Sequence, residues 1–190
     1  RFPSLLSELD VGLKLGIVSR LLSRWAILKP MAQDRESRVD WVAGASLMVK
    51  RQVFEAIGLM DENYFLYYEE TDYCLQAKRA GWDCWYVPKS RVFHVVGAST
   101  GLVDRPPEPR RIPRYWFESR RRFFIKNRSR LYAVATDLVW MLSYALWRVR
   151  RVLQRKDGFE PPHVFGDFVR NSSLMTSEIS VNPAAAKSRS

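Results

Sequence analysis

The sequence contains three acidic residues within four positions, and this cluster is its best candidate for chemistry. Glu69, Glu70 and Asp72 directly follow an aromatic run, "YFLYY", and His94 lies 24 residues beyond Glu70. Because like charges repel, so dense a cluster is expected only where a cation, a proton or structural partners compensate for it. Two carboxylates and an imidazole suit Mg²⁺ or Mn²⁺ when a substrate phosphate supplies further oxygens, and a carboxylate can also accept a proton. Helix capping and a structural histidine are the plainer alternatives, and the spacing leaves all of them open.

The acids lie where a helix is expected to begin. Thr71 or Asp72 can cap a helix that runs to about Ala80, and Gly81 provides the expected stop. The two glutamates are then at or just before the helix N-terminus, where backbone N–H groups and the helix dipole favour negative charge. This position can keep their carboxylates ionised.

Short patterns on either side predict the remaining elements. Residues 1–30 contain one or two short helices, and "VDWVAGASLMVKR" is a β-rich run in which Gly44 and Ala45 indicate that something approaches the backbone closely, unless the run is a plain buried strand. A short helix, "RQVFEAIG", precedes the acids, and two short strands, "WDCWYVP" and "SRVFHVVG", follow them. Apolar periodicity then predicts helices from about residue 114 to 127 and from about 130 to 155.

The composition indicates a folded chain with a real core. The 190 residues are 47% hydrophobic and 13% aromatic, which excludes a disordered chain. Cys74 and Cys84 are too few for a disulfide framework and lack zinc spacing, so we interpret them as small core residues in a reducing compartment. The N-terminus has no signal-peptide pattern and no initiator Met, which suggests that the chain begins inside a longer one.

Positive charge is concentrated in one segment. The net charge is +11, and residues 110–156 carry fourteen Lys or Arg against Glu118 and Asp137. That segment therefore has a charge of +12, and the remainder is close to neutral. Anionic lipid headgroups, diphosphates and nucleic acid are all candidate partners for such a segment.

The second of the two long helices is amphipathic. Asp137 and Tyr144 belong to one stripe together with arginines, and an apolar stripe lies opposite. This pattern favours an interfacial helix at a membrane surface, and packing on the protein's own domain is the alternative. A transmembrane helix is disfavoured because Asp137 at mid-span would cost about 2.5–3.5 kcal/mol. Nucleic-acid binding is not favoured, since no reading motif accompanies the charge. The apolar stripe comprises Leu131, Val134, Leu138, Leu142, Ala145, Val149 and Leu153.

The stretch from Trp41 to Thr100, about 60 residues, carries a family resemblance. It reads "WVAGASLMVKRQVFEAIGLMDENYFLYYEETDYCLQAKRAGWDCWYVPKSRVFHVVGAST" and resembles the C-terminal half of the catalytic domain of family 2 glycosyltransferases. The rhamnosyltransferase-like and galactofuranosyltransferase-like members, which build bacterial cell-surface polysaccharides, look most similar. The matching positions are Gly44, Ala45, Lys50, Arg51, Phe54, Gly58, Asp61, Glu62, Phe65, Tyr67, Tyr68, Glu69, Glu70, Asp72, Ala80, Gly81, Trp82, Pro88 and His94.

The resemblance implies a fold and a reaction. The fold class would be α/β, a partial GT-A (Rossmann-like) domain with a C-terminal α-helical appendage. The reaction would move a sugar from a nucleotide-diphosphate donor to a hydroxyl of a lipid-linked or polysaccharide acceptor, with inversion. Glu70 would be the general base, at a position where the family often has Asp, and His94 would bind the Mg²⁺ or Mn²⁺ that neutralises the departing diphosphate.

The resemblance also suggests substrate-binding residues. Glu69 and Asp72 would contact acceptor hydroxyls, and the Gly44–Ala45 backbone would approach the substrate. The aromatic rings could stack on apolar sugar faces, although burial in the core is the alternative for each of them. These aromatic candidates are Trp41, Tyr68 and Trp82.

The nucleotide-binding half of the family's catalytic domain has no counterpart in this sequence. There is no Asp-x-Asp motif in the 190 residues. We therefore expect the acceptor-side half of the domain in residues 1–109, a basic helical segment in 110–156 and a partly disordered tail in 157–190. Such a fragment would be inactive alone, and a catalytically inactive, truncated membrane-binding module is the alternative. The parent enzyme would lie in the cytoplasm, at the inner face of the cell membrane.

Overall fold

The computed structural model describes residues 1–23, 35–93, 110–155 and 160–176. These ranges are mainly helical, with one small sheet and one 3₁₀ turn at Gly44–Ser46. The helices are α1 (Leu5–Leu13), α2 (Gly16–Leu21), α3 (Arg51–Ile57), α4 (Glu69–Arg79), α5 (Arg114–Asn127), α6 (Arg130–Leu153) and α7 (Val164–Arg170), and the strands are β1 (Ser37–Val39) and β2 (Cys84–Tyr86).

The two long helices begin and end close to the positions that the sequence predicts. α5 starts directly after Pro113, whose fixed φ suits the entry to a helix. α6 starts after Ser129, whose hydroxyl accepts a hydrogen bond from the N–H of Tyr132 at 3.1 Å. This bond satisfies one of the N–H groups that a helix N-terminus leaves open. The predicted helices at about 114–127 and 130–155 are confirmed.

Helix α1 runs along α6 in the same direction. The N–H of Leu5 donates to the hydroxyl of Tyr132 at 3.0 Å, and Arg150 donates to the carbonyls of Leu13 and Lys14 at 3.3 and 3.2 Å. Between these ends, a Cβ atom on Gly12 would lie 1.9 Å from Oγ of Ser143. The close approach of the two helices therefore requires glycine at position 12.

A buried charge network joins three helices. Arg120 of α5 donates to Glu8 of α1, at 3.2 and 2.8 Å, and to Asp137 of α6. The N–H of Ser173, beyond α7, donates to the second oxygen of Asp137 at 2.6 Å. Burial alone would lower the pKa of Arg120, but Glu8 and Asp137 raise it above its ordinary value, so the guanidinium stays charged.

Helix α7 was not predicted. It lies in the segment assigned from sequence to a partly disordered tail, and it packs through Val164 and Phe168 against Phe117, Trp140 and Tyr144. The rings of Trp140 and Phe168 stack 3.9 Å apart. The apolar spacing of "VFGDFV" is the signal that the sequence offered for this helix. A second core cluster comprises Tyr64, Leu75, Phe123, Phe124 and Ala133.

The sheet is smaller than the sequence predicts. β1 pairs with β2 in antiparallel fashion, with Arg38 opposite Trp85. The β-rich run around Gly44 is not a strand, because Gly44–Ser46 forms a 3₁₀ turn instead. The predicted second strand, "SRVFHVVG", begins at Ser90; residues 90–93 have no regular structure, and the rest of the segment lies outside the described residues. The α/β GT-A arrangement therefore stays a prediction.

An amphipathic helix usually buries its apolar stripe and exposes its polar one, whereas α6 buries Asp137 of its polar stripe and exposes most of its apolar stripe. Asp137 and Tyr144, on the stripe with the arginines, are 1% and 2% exposed, because Arg120 and the aromatic cluster supply their partners. Five of the seven residues of the opposite apolar stripe are exposed, and Val134 and Ala145 are half-buried. Among the described helices, none combines the length and the apolar character needed to cross a membrane. The exposed apolar residues of α6 are Leu131, Leu138, Leu142, Leu146, Val149, Val152 and Leu153.

Candidate functional site

The acidic cluster opens helix α4. Glu69 is the first residue of the helix and Tyr68 is its N-cap, so the prediction that Thr71 or Asp72 caps the helix is wrong. Tyr68 offers no side-chain cap hydrogen bond. Glu69 and Glu70 therefore lie in the first turn, where the free N–H groups and the helix dipole favour carboxylates.

An unusual backbone turn aims this helix. Tyr67 and Tyr68 both have a φ of +69°, in the left-handed region that residues with side chains rarely adopt. Such a conformation costs roughly 1–3 kcal/mol per residue and persists only where surrounding contacts hold it. Here α5 supplies the contacts. The ring of Tyr67 stacks on Tyr115 at 6.1 Å, and Tyr68 packs between Trp116 at 6.2 Å and Phe123 at 5.5 Å.

Glu70 has the environment of a proton acceptor. Burial raises the pKa of Glu70, the neighbouring charge of Glu69 adds to the rise, and the backbone groups of Glu70, Thr71 and Gly44 offset part of it. Its Oε2 atom is buried and has no hydrogen-bond partner among the described residues. A carboxylate with one unsatisfied oxygen and a raised pKa can take a proton from a bound hydroxyl.

Glu69 shares this property. Its Oε2 atom is also buried and without a hydrogen-bond partner in the described part of the chain. Two adjacent carboxylates with unsatisfied oxygens would accept hydrogen bonds from the hydroxyls of a bound sugar. The pair therefore marks a place where a polar ligand would complete the hydrogen bonding of the protein.

Asp72 is different, because its carboxylate already has partners. It accepts hydrogen bonds from Lys126 at 2.6 Å, Asn127 at 2.5 Å and Gln76 at 3.3 Å, and it is 2% exposed. Lys126 also donates to Asp61 at 2.8 Å. These bonds fasten α4 to α5, so the contacts of Asp72 are those of a structural group.

The glycine-rich turn faces the acids. An added Cβ on Gly44 would lie 3.9 Å from Cβ of Glu70, so the turn at Gly44–Ser46 lies directly against the candidate base. Ala45, next to Gly44, is exposed. Glu70 is thus the neighbour of this backbone in the described part of the chain. The prediction that Gly44 and Ala45 contact a substrate stays a prediction.

The predicted aromatic platform is only partly exposed. The indole N–H of Trp41 donates to the carbonyl of Arg1 at 2.9 Å, Trp82 is half-buried, and Tyr68 packs against the core. The more exposed rings next to the acids are Phe65 and Tyr67, both of which contact Tyr115. Sequence reasoning did not single out this surface, although the run "YFLYY" was its signal.

A metal centre is not complete among the described residues. Within residues 1–23, 35–93, 110–155 and 160–176, no three His, Cys, Asp or Glu side chains are grouped to hold an ion. His94, the predicted ligand, lies outside these ranges. The two unpartnered oxygens of Glu69 and Glu70 are of the type that Mg²⁺ and Mn²⁺ prefer, but either ion takes about six ligands. These acids therefore do not fit a metal by themselves.

Similar proteins are sugar transferases. One relative is the N-acetylglucosaminyl-diphospho-decaprenol L-rhamnosyltransferase of Mycobacterium tuberculosis. It is 41% identical over 69 residues, which are 36% of this chain and 22% of that protein. Rhamnosyltransferase WbbL of Escherichia coli is 32% identical over 94 residues, 50% of this chain and 33% of WbbL. Hexosyltransferase Agl10 of Haloferax volcanii, named for low-salt glycan biosynthesis, is 24% identical over 160 residues, 80% of this chain and 46% of Agl10.

The chain thus spans between about a fifth and a half of the length of these relatives. No solved structure matches it significantly. Residues 21–122, more than half of the chain, match the family model described as "Glycosyltransferase like family 2". This match covers the glycine-rich turn, the acidic pair and most of α5. The chain belongs to glycosyltransferase like family 2.

Proposed function

We propose that the protein containing this chain transfers a sugar from a nucleotide-diphosphate donor to a hydroxyl of a lipid-linked or polysaccharide acceptor, with Glu70 as the general base. The observation that carries this proposal is the buried, unpartnered carboxylate oxygen of Glu70 at the N-terminus of α4. Membership of the family supports sugar transfer, and the raised pKa of Glu70 supports its role as a proton acceptor.

The proposed step is a single displacement. The acceptor hydroxyl loses its proton to the free oxygen of Glu70 while its oxygen bonds to the anomeric carbon. The bond from that carbon to the donor diphosphate breaks, and its electron pair leaves with the diphosphate. Because attack and departure occur on opposite faces, the anomeric centre inverts. Glu69 would accept a hydrogen bond from a second acceptor hydroxyl and so orient the sugar.

The donor, the metal and the acceptor are proposed from similarity. The relatives from M. tuberculosis and E. coli are named as rhamnosyltransferases, which supports a deoxyhexose or hexose donor. The mycobacterial name includes a diphospho-decaprenol, which supports a lipid-linked acceptor. We also propose dependence on Mg²⁺ or Mn²⁺, with His94 as one ligand and the others outside the described residues.

Replacement of the base tests the proposal. In the full-length protein that carries this sequence, Glu70→Gln should lower the turnover number by about 10²–10⁴-fold, because loss of a general base costs that much. Donor binding should change little. Glu55→Gln is the matched control, since Glu55 is exposed and pairs with Arg51 on α3. Turnover within about twofold of the unsubstituted protein in Glu70→Gln would exclude Glu70 as the base.

A second candidate function is that of a catalytically inactive module that binds membranes. The observation that favours it is the exposed apolar surface of α6 within a segment, residues 110–156, that carries a charge of +12. Vesicle sedimentation tests this reading. Binding to anionic vesicles, lost at high salt, is expected for electrostatic docking at the inner membrane face, because salt screens charges beyond about 8 Å. Equal binding to neutral and anionic vesicles, or none to either, would contradict it.

A further inference from the structure

A cavity of about 750 Å³ lies between the C-terminal half of α6 and α7. This volume is within the roughly 300–1,000 Å³ range of small-molecule sites. Four arginines line it, together with apolar residues of α7. The lining arginines are Arg111, Arg148, Arg151 and Arg170.

Two of these arginines are neutralised by the protein. Arg111 makes a bidentate ion pair with Asp167, at 2.7 and 2.6 Å, and Arg151 donates to Glu160 at 2.9 Å. Each pair fixes the orientation of a guanidinium at the edge of the cavity. These two acids also line the cavity, so only the other two arginines contribute excess charge.

Arg148 and Arg170 supply that excess positive charge. Both side chains are exposed, and neither has a hydrogen bond or an ion pair with another residue in the described part of the chain. Two guanidinium groups that line one cavity without a carboxylate partner favour a ligand with at least two negative charges. Guanidinium donors match the oxygens of phosphates and carboxylates in a bidentate geometry, so a phosphate or a diphosphate is a class of ligand that fits these two arginines.

The surface next to the cavity is apolar. Val152 lies one helical turn beyond Arg148 and is 71% exposed, and Val149 is adjacent and 59% exposed. Two further exposed apolar residues of α6, Leu146 and Leu142, continue this surface toward the start of the helix. A ligand held by its phosphate at Arg148 would therefore have a path of exposed apolar side chains beside it. This combination fits a lipid phosphate better than a free anion.

The cavity and the acidic pair are connected through α5. Arg111 lies three residues before α5, and Tyr115 and Trp116 in its first turn contact Tyr67 and Tyr68, which directly precede the acids. Trp116 also packs against the aromatic cluster that α7 completes. One end of α5 thus touches both the cavity wall and the segment that aims the acids.

We propose that this arginine cavity binds the diphosphate of a lipid-linked acceptor, with the lipid chain lying along the exposed stripe of α6. The inference rests on the proposed function, because it names the acceptor's anionic group and its place on the chain. It assigns Arg148 and Arg170 as ligand-binding residues that take no part in proton transfer.

Binding by the chain itself tests this proposal without catalysis. Farnesyl diphosphate, below its micelle concentration, is titrated calorimetrically against farnesol and inorganic diphosphate. Farnesyl diphosphate should bind at least about tenfold more tightly than either. The double variant Arg148→Gln and Arg170→Gln should weaken its binding by about tenfold or more. The matched control is Arg128→Gln with Arg130→Gln, which removes the same charge from exposed positions near the start of α6.

Variants of the exposed apolar residues of α6 test the contribution of the lipid chain separately from that of the diphosphate. Leu146→Gln with Val149→Thr should weaken farnesyl diphosphate binding several-fold and leave inorganic diphosphate unaffected. Inorganic diphosphate binding as tightly as farnesyl diphosphate would overturn the lipid assignment. Equal weakening by both arginine pairs, or no binding of farnesyl diphosphate, would overturn the cavity assignment. Because all of these positions are exposed, unchanged melting temperatures should confirm that the variants fold.

The cavity proposal and the proposed reaction can fail separately in these experiments. Glu70→Gln should bind farnesyl diphosphate with unchanged affinity, since Glu70 is not in the cavity. If transfer depends on Glu70 but farnesyl diphosphate does not bind, the cavity proposal fails and the proposed reaction stands. If farnesyl diphosphate binds and transfer is indifferent to Glu70, the proposed reaction fails and the cavity stands.

Discussion

The guanidinium of Arg120 lies between the carboxylates of Asp137 and Glu8, and all three side chains are at most 6% exposed. These residues come from α5, α6 and α1, so a single buried charge holds three helices in register. The pair of Arg120 with Asp137 also explains why Asp137, on the polar stripe of α6, faces inward. An aspartate that would be costly in a membrane is satisfied here by an arginine of the same chain.

Removal of one partner should therefore be costly. Asp137→Asn leaves Arg120 with a single carboxylate, and we expect a loss of about 3–5 kcal/mol in the free energy of unfolding, as is typical when a buried pair is broken. Urea denaturation of the chain measures it. The control is Arg51→Gln, which breaks an exposed pair on α3 and should cost less than about 0.5 kcal/mol. Similar losses in both variants would contradict the conclusion that the buried network around Arg120 stabilises the fold.

The contact between α1 and α6 should not tolerate a side chain. Gly12→Ala would place Cβ 1.9 Å from Oγ of Ser143 and 3.1 Å from the carbonyl of Trp140, so we expect a loss of about 1–3 kcal/mol through overpacking. Ser143→Ala in the same chain should recover part of that loss, because it removes the nearest atom. Thermal unfolding measures both effects.

The matched control for this prediction is Gly16→Ala at the start of α2. A Cβ on Gly16 would have no atom within 4 Å. Alanine there should be neutral or slightly stabilising, by up to about 1 kcal/mol, because it restricts the unfolded chain. An equal loss at both glycines would show that helix α1 does not approach α6 closely in solution.

Ionised Glu70, the candidate base, should lower the free energy of unfolding near pH 7. Because the pKa of Glu70 is raised in the folded chain, the free energy that Glu70 contributes to folding falls as the pH rises through that raised pKa. Glu70→Gln has no such charge to bury. We therefore expect the variant to melt at a higher temperature than the unsubstituted chain near pH 7, with the difference vanishing below about pH 4, near the ordinary pKa of glutamate. A difference that is constant from pH 4 to 8 would argue against burial of an ionised Glu70.

The attachment of α4 to α5 depends on Asn127. Its amide donates to Asp72 at 2.5 Å and accepts from Gln76 at 2.8 Å and Arg79 at 2.9 Å. Asn127→Leu removes one hydrogen-bond partner each from Gln76, Arg79 and the buried Asp72, so we expect a loss of about 1–3 kcal/mol in the free energy of unfolding. Hydrogen exchange should accelerate in α4 first. Arg128→Leu, next along the chain and exposed, should leave exchange in α4 unchanged.

Long periodic segments were the most predictable part of the fold. α5 and α6 have sustained apolar spacing and clear boundaries at Pro113 and Ser129, so local sequence was enough to define them. α7 was missed because its short apolar pattern becomes stable only on the surface made by Phe117 and Trp140. Local patterns of this length carry too little information without the tertiary partner.

Two other features could not be read from local sequence. The inward face of α6 is set by Arg120, which lies 17 residues before Asp137 and pairs with it only in the folded chain. The start of α4 is set by left-handed backbone at Tyr67 and Tyr68, which aromatic contacts from α5 stabilise. The candidate base itself was found through a family resemblance, since its spacing alone allowed a structural role.

The parallel arrangement of α1 and α6 has a consequence for protein synthesis. The contacts between Lys14 and Arg150 close a loop of 136 residues, and Glu8 meets Arg120 after 112. At about 5–20 residues per second, the ribosome needs roughly 6–27 s to supply the partner of a helix that it has already synthesised. During that interval the inner face of α1 is exposed, so nascent chains that stall before α6 should be the ones that chaperones retain.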